Sequence, residues 1–397
     1  MKQIYLDNAA STEIDKEVLK VLKKFSENVY GNPSSIHSQG QKAKTEIETA
    51  RKVFASKINS KPEEIYFTSG ATESNNFVLK GLFFQNFPKK NHIVTSKIEH
   101  DSILKTCKWL KKHGAKVTYL DVDSEGFINL NELKRAITRT TFLVSIMSTN
   151  NEVGTIQNLE EIGKICKEKN VLFHTDATQS FTKTPIDVKK LNLSLLSASS
   201  HKINGPKGVG FVYIKEGTEI EPLLHGGGHE HGLRSGTENV PAIVGFAKAV
   251  EISQKIDYKK MENLRNKLMN GILETISKTK LNGPKENRLA NNVNISFEEC
   301  EGEALGEYLN AKGVFVSTGS ACMSNTHSGS HVLKALGKTA QEAVSAIRLT
   351  LGKNTTEKDI NYVLSILPEI VNRLRKGGDL GNSRKYEDFC FGKTDEK

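Results

Sequence analysis

Short apolar runs alternate along this chain with longer stretches in which apolar side chains return every three or four residues. Runs of four to six apolar or β-branched residues bounded by turn-formers read as buried strands, and the 3.6-residue period reads as amphipathic helix. Strands are accordingly predicted at 64–67, 93–95, 116–120, 142–147, 171–174, 193–197 and 209–214. Helices are predicted at 15–29, 38–58, 72–84, 101–112, 130–137 and 158–169. This alternation predicts α/β architecture, with a sheet of about seven strands wound largely through βαβ crossovers. A long helical region, roughly 238–280, leads away from it. Beyond Gly283-Pro284 the rhythm changes: strands at 292–297, 314–316 and 347–351 and helices at 302–311, 329–336 and 356–375 predict a smaller α+β unit.

Composition narrows the class. The 397 residues are 37% hydrophobic and 26% charged, values of a soluble globular protein. No run of about 18 apolar residues appears, so no membrane span is expected. The first residues, Met1-Lys2-Gln3-Ile4-Tyr5-Leu6-Asp7, reach an acid before the apolar stretch of a secretory signal forms, and none is expected. The five cysteines, at 107, 166, 300, 322 and 390, include no C-x-x-C pair. That spacing fits neither a disulfide framework nor a zinc site and makes a reducing cytoplasm the default. His229-Glu230-His231 has the wrong spacing for two ligands on one helix face, so no metal is expected. The formal charge of +10 suits an acidic partner or a nucleic acid, but the lysines are spread along the chain rather than gathered in a basic block.

Several segments carry candidate chemistry. Ser199-Ser200-His201-Lys202 follows an apolar strand and precedes Gly205-Pro206-Lys207-Gly208. A lysine held at a strand end beside hydroxyls and an imidazole suits a Schiff-base amine next to a phosphate site; alone, the segment reads first as a basic turn. The strand ending in His174-Thr175-Asp176 delivers an acid suited to a protonated pyridine nitrogen, with Gln179 following, although a helix N-cap explains Asp176 as well. Thr68-Ser69-Gly70-Ala71-Thr72-Glu73 ends a strand and opens a helix, where free N–H groups attract a phosphate; a capping box accounts for the same letters. His100 stands at another strand end, placed to stack on a ring or move protons, or to serve structure alone. Gly319-Ser320-Ala321-Cys322-Met323 puts one thiol among small residues, a setting for a reactive rather than a core cysteine. Arg348 interrupts an apolar strand and is shaped to grip a carboxylate, or to form an edge salt bridge. The glycines at 205, 208 and 210 lie in the wrong elements for a dinucleotide fingerprint.

Taken in order, these segments resemble the cysteine desulfurases of NifS/IscS type, pyridoxal-phosphate (PLP) enzymes of fold-type I in the class-V aminotransferase family. The matching stretches are YLDNAA at 5–10, GNPSS at 31–35, FTSGATESNN at 67–76, Glu99-His100, NNEVGTIQ at 150–157 and HTDATQS at 174–180. SSHKINGPKGVG at 199–210, RSGTEN at 234–239, GSAC at 319–322 and IRLTLG at 347–352 complete the set, so the likeness runs over residues ~4–375. It implies an aspartate-aminotransferase-like fold with a large α/β domain over 15–257 and a mostly parallel seven-stranded sheet. Residues 1–14 with 258–376 would form the smaller α+β domain carrying the Cys322 loop, and 377–397 a flexible tail.

The resemblance also implies roles. Lys202 would bind PLP and shuttle the Cα proton, while Asp176 pairs with the pyridine nitrogen and Gln179 with the ring hydroxyl. His100 would stack on the ring and assist proton transfer. Ala71, Thr72, Ser199 and His201 would hold the phosphate, joined by Thr237 from a second subunit of a homodimer. Asn151 and Arg348 would orient L-cysteine, and Cys322 would take its sulfur as a persulfide for an acceptor protein. That acceptor would be an iron–sulfur scaffold or a thio-modification enzyme acting on tRNA or DNA. Two other readings remain at this point: a PLP aminotransferase or selenocysteine lyase that does not use Cys322, and a catalytically silent sulfur-trafficking or tRNA-binding subunit.

Overall fold

The structure, a computed structural model, describes residues 3–318 and 329–377. Its strands are β1 (Ile4–Tyr5), β2 (Ile65–Thr68), β3 (His92–Ser96), β4 (Lys116–Leu120), β5 (Thr141–Ser145), β6 (Leu172–Asp176) and β7 (Leu195–Ser199). They continue with β8 (Gly210–Ile214), β9 (Thr279–Leu281), β10 (Asn292–Phe297), β11 (Val314–Phe315), β12 (Ser317–Thr318) and β13 (Ala346–Thr350). Seven form one sheet in the order β2-β8-β7-β6-β5-β3-β4. Only β8 runs against its neighbours, pairing antiparallel with both β2 and β7. The expected large, mostly parallel sheet is what the chain builds.

Strands β3, β5, β7 and β8 are buried at every position, because helices cover both faces of the sheet. Alternate side chains feed two cores. Leu196, Phe211 and Tyr213 join Phe54, Phe67, Phe181 and Phe246 on one face, whereas Leu195, Val212 and Ile214 join Phe77, Phe83 and Leu110 on the other. Within the first core the rings of Phe54 and Phe246 lie 4.6 Å apart, edge to face, a geometry that adds to the burial itself.

A second sheet, β12-β13-β10-β9, packs against helices Tyr258–Thr275, Gly302–Ala311 and Glu357–Arg375 around a core of its own that includes Ile4 and Leu6. The N-terminal strand reaches it through β1, which pairs in parallel with β11. The segment then runs back along the end of β13: Asn8 Nδ2 donates to the Thr350 carbonyl at 2.8 Å, and Ala9 N–H to Thr350 Oγ1 at 2.9 Å. Residues 8–10 are thereby pinned over the carboxyl edge of the large sheet.

Local chemistry moved several boundaries. The helical region 238–280 is two helices, Val240–Ser253 and Tyr258–Thr275, because Asp257 caps the second by accepting from Lys260 N–H at 2.9 Å. The predicted strand 314–316 is β11 alone, and the next two residues form β12, which had no predicted counterpart and enters a different sheet. The short helix Ala340–Val344, closed by a Thr339/Glu342 capping box, had no counterpart among the predicted elements.

Candidate active site

The last residues of five strands in the large sheet are polar: Thr68, Ser96, Ser145, Asp176 and Ser199. Ligands in such sheets bind beyond the carboxyl ends of the strands, and the candidate residues collect there. Lys202 follows β7 in a single 3-10 turn, Ser200–Lys202. Its Nζ donates to the carbonyls of Ala9 at 2.6 Å and Ala10 at 2.7 Å. Gln179 Nε2 meets the same Ala9 carbonyl at 2.9 Å. The pinned N-terminal segment thus joins Lys202 and Gln179, more than 160 residues away in sequence, at one oxygen.

Asp176 is buried, at 5% exposure, where water cannot satisfy its carboxylate. Oδ1 accepts from Thr178 N–H at 2.9 Å and Oδ2 from Asn75 Nδ2 at 2.7 Å. The same Asn75 nitrogen reaches Ser102 Oγ at 2.9 Å, and Ser102 Oγ lies 2.8 Å from His100 Nδ1. A continuous chain of hydrogen bonds therefore links Asp176 to His100, whose ring is exposed at the start of helix Asp101–Lys111. Beneath Asp176, His174 is held between Ser145 Oγ at 2.9 Å and Ser197 Oγ at 3.0 Å. Burial pushes its imidazole down to about 4, the charge of Asp176 only partly opposing this, so it is a neutral spacer between strands.

The helix Ala71–Asn86 opens on Gly70, whose φ of 152° lies outside what side-chain-bearing residues adopt readily and which makes no side-chain cap. A Cβ at Gly70 would meet nothing nearer than Ser199 Oγ at 3.8 Å, so there is room in front of the uncapped N–H groups of Ala71 and Thr72. The capping-box alternative does not occur. Glu73 instead accepts from Ser69 N–H at 2.9 Å and pairs with Arg234 at 2.7 and 3.1 Å. That pair ties the helix start to the loop bearing Thr237, which is exposed. His201 Nδ1 lies 3.2 Å from Ser11 Oγ; burial, then Lys202, Lys207 and Lys183, pushes its imidazole down to about 4. These positive neighbours suit an anion.

Arg348, in β13, donates from Nη1 to the Asn151 carbonyl at 3.0 Å and from Nη2 to Asp7 Oδ1 at 2.9 Å. Its Nε is buried and has no hydrogen-bond partner among the described residues. Cys322 lies outside the described residues, as does the tail from 378. The segment that follows Cys322 is anchored where it re-enters: His331 Nε2 contacts the Glu99 carbonyl at 3.0 Å, and Ser330 Oγ donates to Glu152.

Sequence reasoning assigned no role to Asn75, Ser102, Glu99 or Lys183. Asn75 stood inside a quoted motif, but no local pattern marks which acid it meets 101 residues later. Glu99 is fully buried, accepting from Ser96 Oγ at 2.7 Å and Met147 N–H at 3.0 Å; burial pushes its carboxyl up to about 8. Lys183 Nζ is buried with no hydrogen-bond partner among the described residues, and burial followed by the charge of Lys202 pushes it down to about 7.

The class-V aminotransferase model matches residues 4–363. This chain belongs to that family. It is 46% identical over 400 residues to the cysteine desulfurase IscS of Clostridium botulinum, covering 100% of both chains. It is 49% identical over 377 residues to the cysteine desulfurase IscS of Methanosarcina thermophila, covering 94% and 93%. A solved NifS-like protein superposes with a TM-score of 0.88 at 42% identity, over 94% of this chain and 100% of that one. "SspA in complex with cysteine" superposes with a TM-score of 0.81 at 38% identity, over 89% and 100%. The family is PLP-dependent, as the motifs implied, and the residues present fit the cofactor. An acid buried to receive a ring nitrogen, a lysine at a strand end and an uncapped helix N-terminus with open space before it stand together at one sheet edge.

Proposed function

We propose that this chain is a PLP-dependent cysteine desulfurase that converts L-cysteine to L-alanine and leaves the sulfur as a persulfide on Cys322. The observation that supports it most is the meeting of Lys202 and Gln179 at the Ala9 carbonyl, beyond the strand ends that carry Asp176 and Ser199, with Arg348 bonded to the Asn151 carbonyl. The bound cofactor supplies an electron sink conjugated with the substrate's α carbon, which weakens its Cβ–S bond. Asp176 is assigned to the ring nitrogen and Gln179 to the ring hydroxyl. Ala71, Thr72, Ser199 and His201, with Thr237 of the partner subunit in a homodimer, take the phosphate. Arg348 and Asn151 orient the substrate carboxylate, Lys202 carries the proton from Cα, and His100 covers the ring and assists proton transfer.

Cys322, as thiolate, attacks the substrate's Sγ. An S–S bond forms as the Cβ–S bond breaks; the bonding pair stays with Cβ, which is protonated, and alanine departs. Cysteine plus the Cys322 thiol gives alanine plus the Cys322 persulfide, so no outside oxidant enters. The persulfide then passes to an acceptor protein in the cytoplasm, iron–sulfur cluster assembly being the first choice over tRNA or DNA thio-modification.

Alanine and sulfide release from L-cysteine with a thiol reductant tests the reading. Wild type should turn over, Lys202→Ala and Cys322→Ala should not, and Cys322→Ala should stay yellow with bound PLP. Normal turnover by Cys322→Ala overturns the persulfide step, and a wild-type protein that stays colourless after PLP addition overturns the whole assignment.

A further inference from the structure

The side chain of Asn75 is wholly buried, yet its Oδ1 has no hydrogen-bond partner among the described residues. An apolar side chain of the same size avoids that unmet carbonyl, so the amide must be kept for its other end. Its orientation is fixed. Turning the amide over would aim Oδ1 at the carboxylate of Asp176, which has only lone pairs to offer. With Nδ2 inward, one N–H is given to Asp176 Oδ2 at 2.7 Å and the other to Ser102 Oγ at 2.9 Å.

The direction of the next bond follows. His100 Nδ1 has a single lone pair, and the backbone N–H of Ser102 already points at it from 3.2 Å. Nδ1 is therefore an acceptor and the ring proton sits on Nε2. Ser102 Oγ, 2.8 Å away and already accepting from Asn75, turns its own hydrogen to the same Nδ1 lone pair, which the hydroxyl and the more distant backbone N–H of Ser102 share. One buried amide thus orders donors outward along two arms, to an acid at the end of β6 and to a ring at the start of a helix.

We propose that Asn75 is a positioning residue: through its two N–H groups it holds the Asp176 carboxylate for the cofactor ring nitrogen and, by way of Ser102, fixes the His100 ring as its Nε2–H tautomer over the cofactor face. This deepens the PLP-enzyme reading and rests on it. The two arms separate experimentally. Asn75→Leu removes both, whereas Ser102→Ala removes only the arm to His100.

PLP affinity by titration, the visible absorption of the loaded protein and the visible circular dichroism of the bound cofactor are read without cysteine. Asn75→Leu is expected to bind PLP about tenfold more weakly, with a displaced absorption maximum, since losing a hydrogen bond to a charged group is felt at about that level. Ser102→Ala should keep wild-type affinity and absorption but change the circular dichroism, which reports how the ring is covered. With cysteine added, its kcat should fall while KM holds.

Wild-type affinity and absorption in folded Asn75→Leu would overturn the arm to Asp176. Unchanged circular dichroism and kcat in Ser102→Ala would overturn the arm to His100. Should Asn75→Leu fail to melt cooperatively, Asn75→Ala carries the same two readings with less crowding. A loaded wild type that releases no alanine refutes desulfurase activity but not this arrangement, because the cofactor signals do not depend on turnover.

Discussion

Two guanidinium–carboxylate pairs in this molecule differ in how completely they are satisfied. Arg51 and Glu230 show 3% and 2% side-chain exposure and form a two-pronged pair at 2.9 and 3.0 Å. The remaining capacity is also used: Arg51 Nε faces Glu48 at 3.2 Å, Nη1 also meets the Ile65 carbonyl, and Glu230 accepts from Phe67 N–H at 2.8 Å. Burial works against the Arg51 charge, but Glu230 and Glu48 outweigh it and hold the guanidinium above its ordinary range. Arg348 and Asp7 touch through one oxygen at 2.9 Å, with 11% and 22% exposure, and Arg348 Nε has no partner among the described residues. A saturated pair locks one element to another. A pair joined through one oxygen, with a guanidinium nitrogen left over, holds its two elements less completely.

The comparison also explains His229-Glu230-His231, which looked like failed metal chemistry in the sequence. Glu230 is the anchor of the loop that leads to Thr237, clamped beneath β2 by Arg51. Removing one member of such a pair leaves an unpaired charge in a place water cannot reach.

The largest effect is therefore expected at Glu230→Ala, a loss of about 3–5 kcal/mol in denaturant unfolding. A loss below about 1 kcal/mol would put this pair in the same class as surface ion pairs. Arg348→Ala should do the reverse. Its unfolding free energy should stay within about 1 kcal/mol of wild type, while kcat/KM for cysteine falls roughly ten- to a hundredfold, mainly through KM. Arg348→Lys should recover only part of that, because an ammonium cannot present the planar fork.

Glu99 is an intermediate case, hydrogen-bonded but paired with no cation among the described residues. Its carboxyl is raised to about 8, so the folded state binds the proton more tightly than the unfolded chain. The stability this gives is full below the ordinary carboxyl range and is lost as pH rises towards 8. Glu99→Gln should flatten that decline, which is at most about 1.4 kcal/mol per pH unit; an unchanged pH profile would show that Glu99 does not titrate there. The smallest effect is expected at the exposed pair of Lys61 and Glu216, 59% and 72% accessible. Glu216→Ala should leave denaturant unfolding indistinguishable from wild type, and a clear loss of stability would mean exposure is a poor guide to these pairs.

The sequence by itself determined the elements whose signal is local. Alternation and helical period located the seven strands of the large sheet and most of their helices, because neighbours two, three and four residues apart decide which face is buried. It also determined the chemistry carried by side-chain identity: motifs around Asp176, Lys202 and Arg348 pointed to the PLP-dependent family to which the chain belongs. It was weaker where a cap or a tight turn competes with periodicity, as at Asp257, and it left a capping box at Glu73 as an alternative without seeing that the residue also pairs with Arg234.

Only the tertiary structure decided which polar groups answer one another. Lys202 meets Ala9 across 193 residues, Arg348 meets Asp7 across 341, and Asn75 reaches Asp176 across 101. No short-range pattern encodes such partners. A hydrogen bond needs its atoms within about 3 Å, and positions so far apart in sequence are brought that close only when the whole sheet and the strap across its edge are in place.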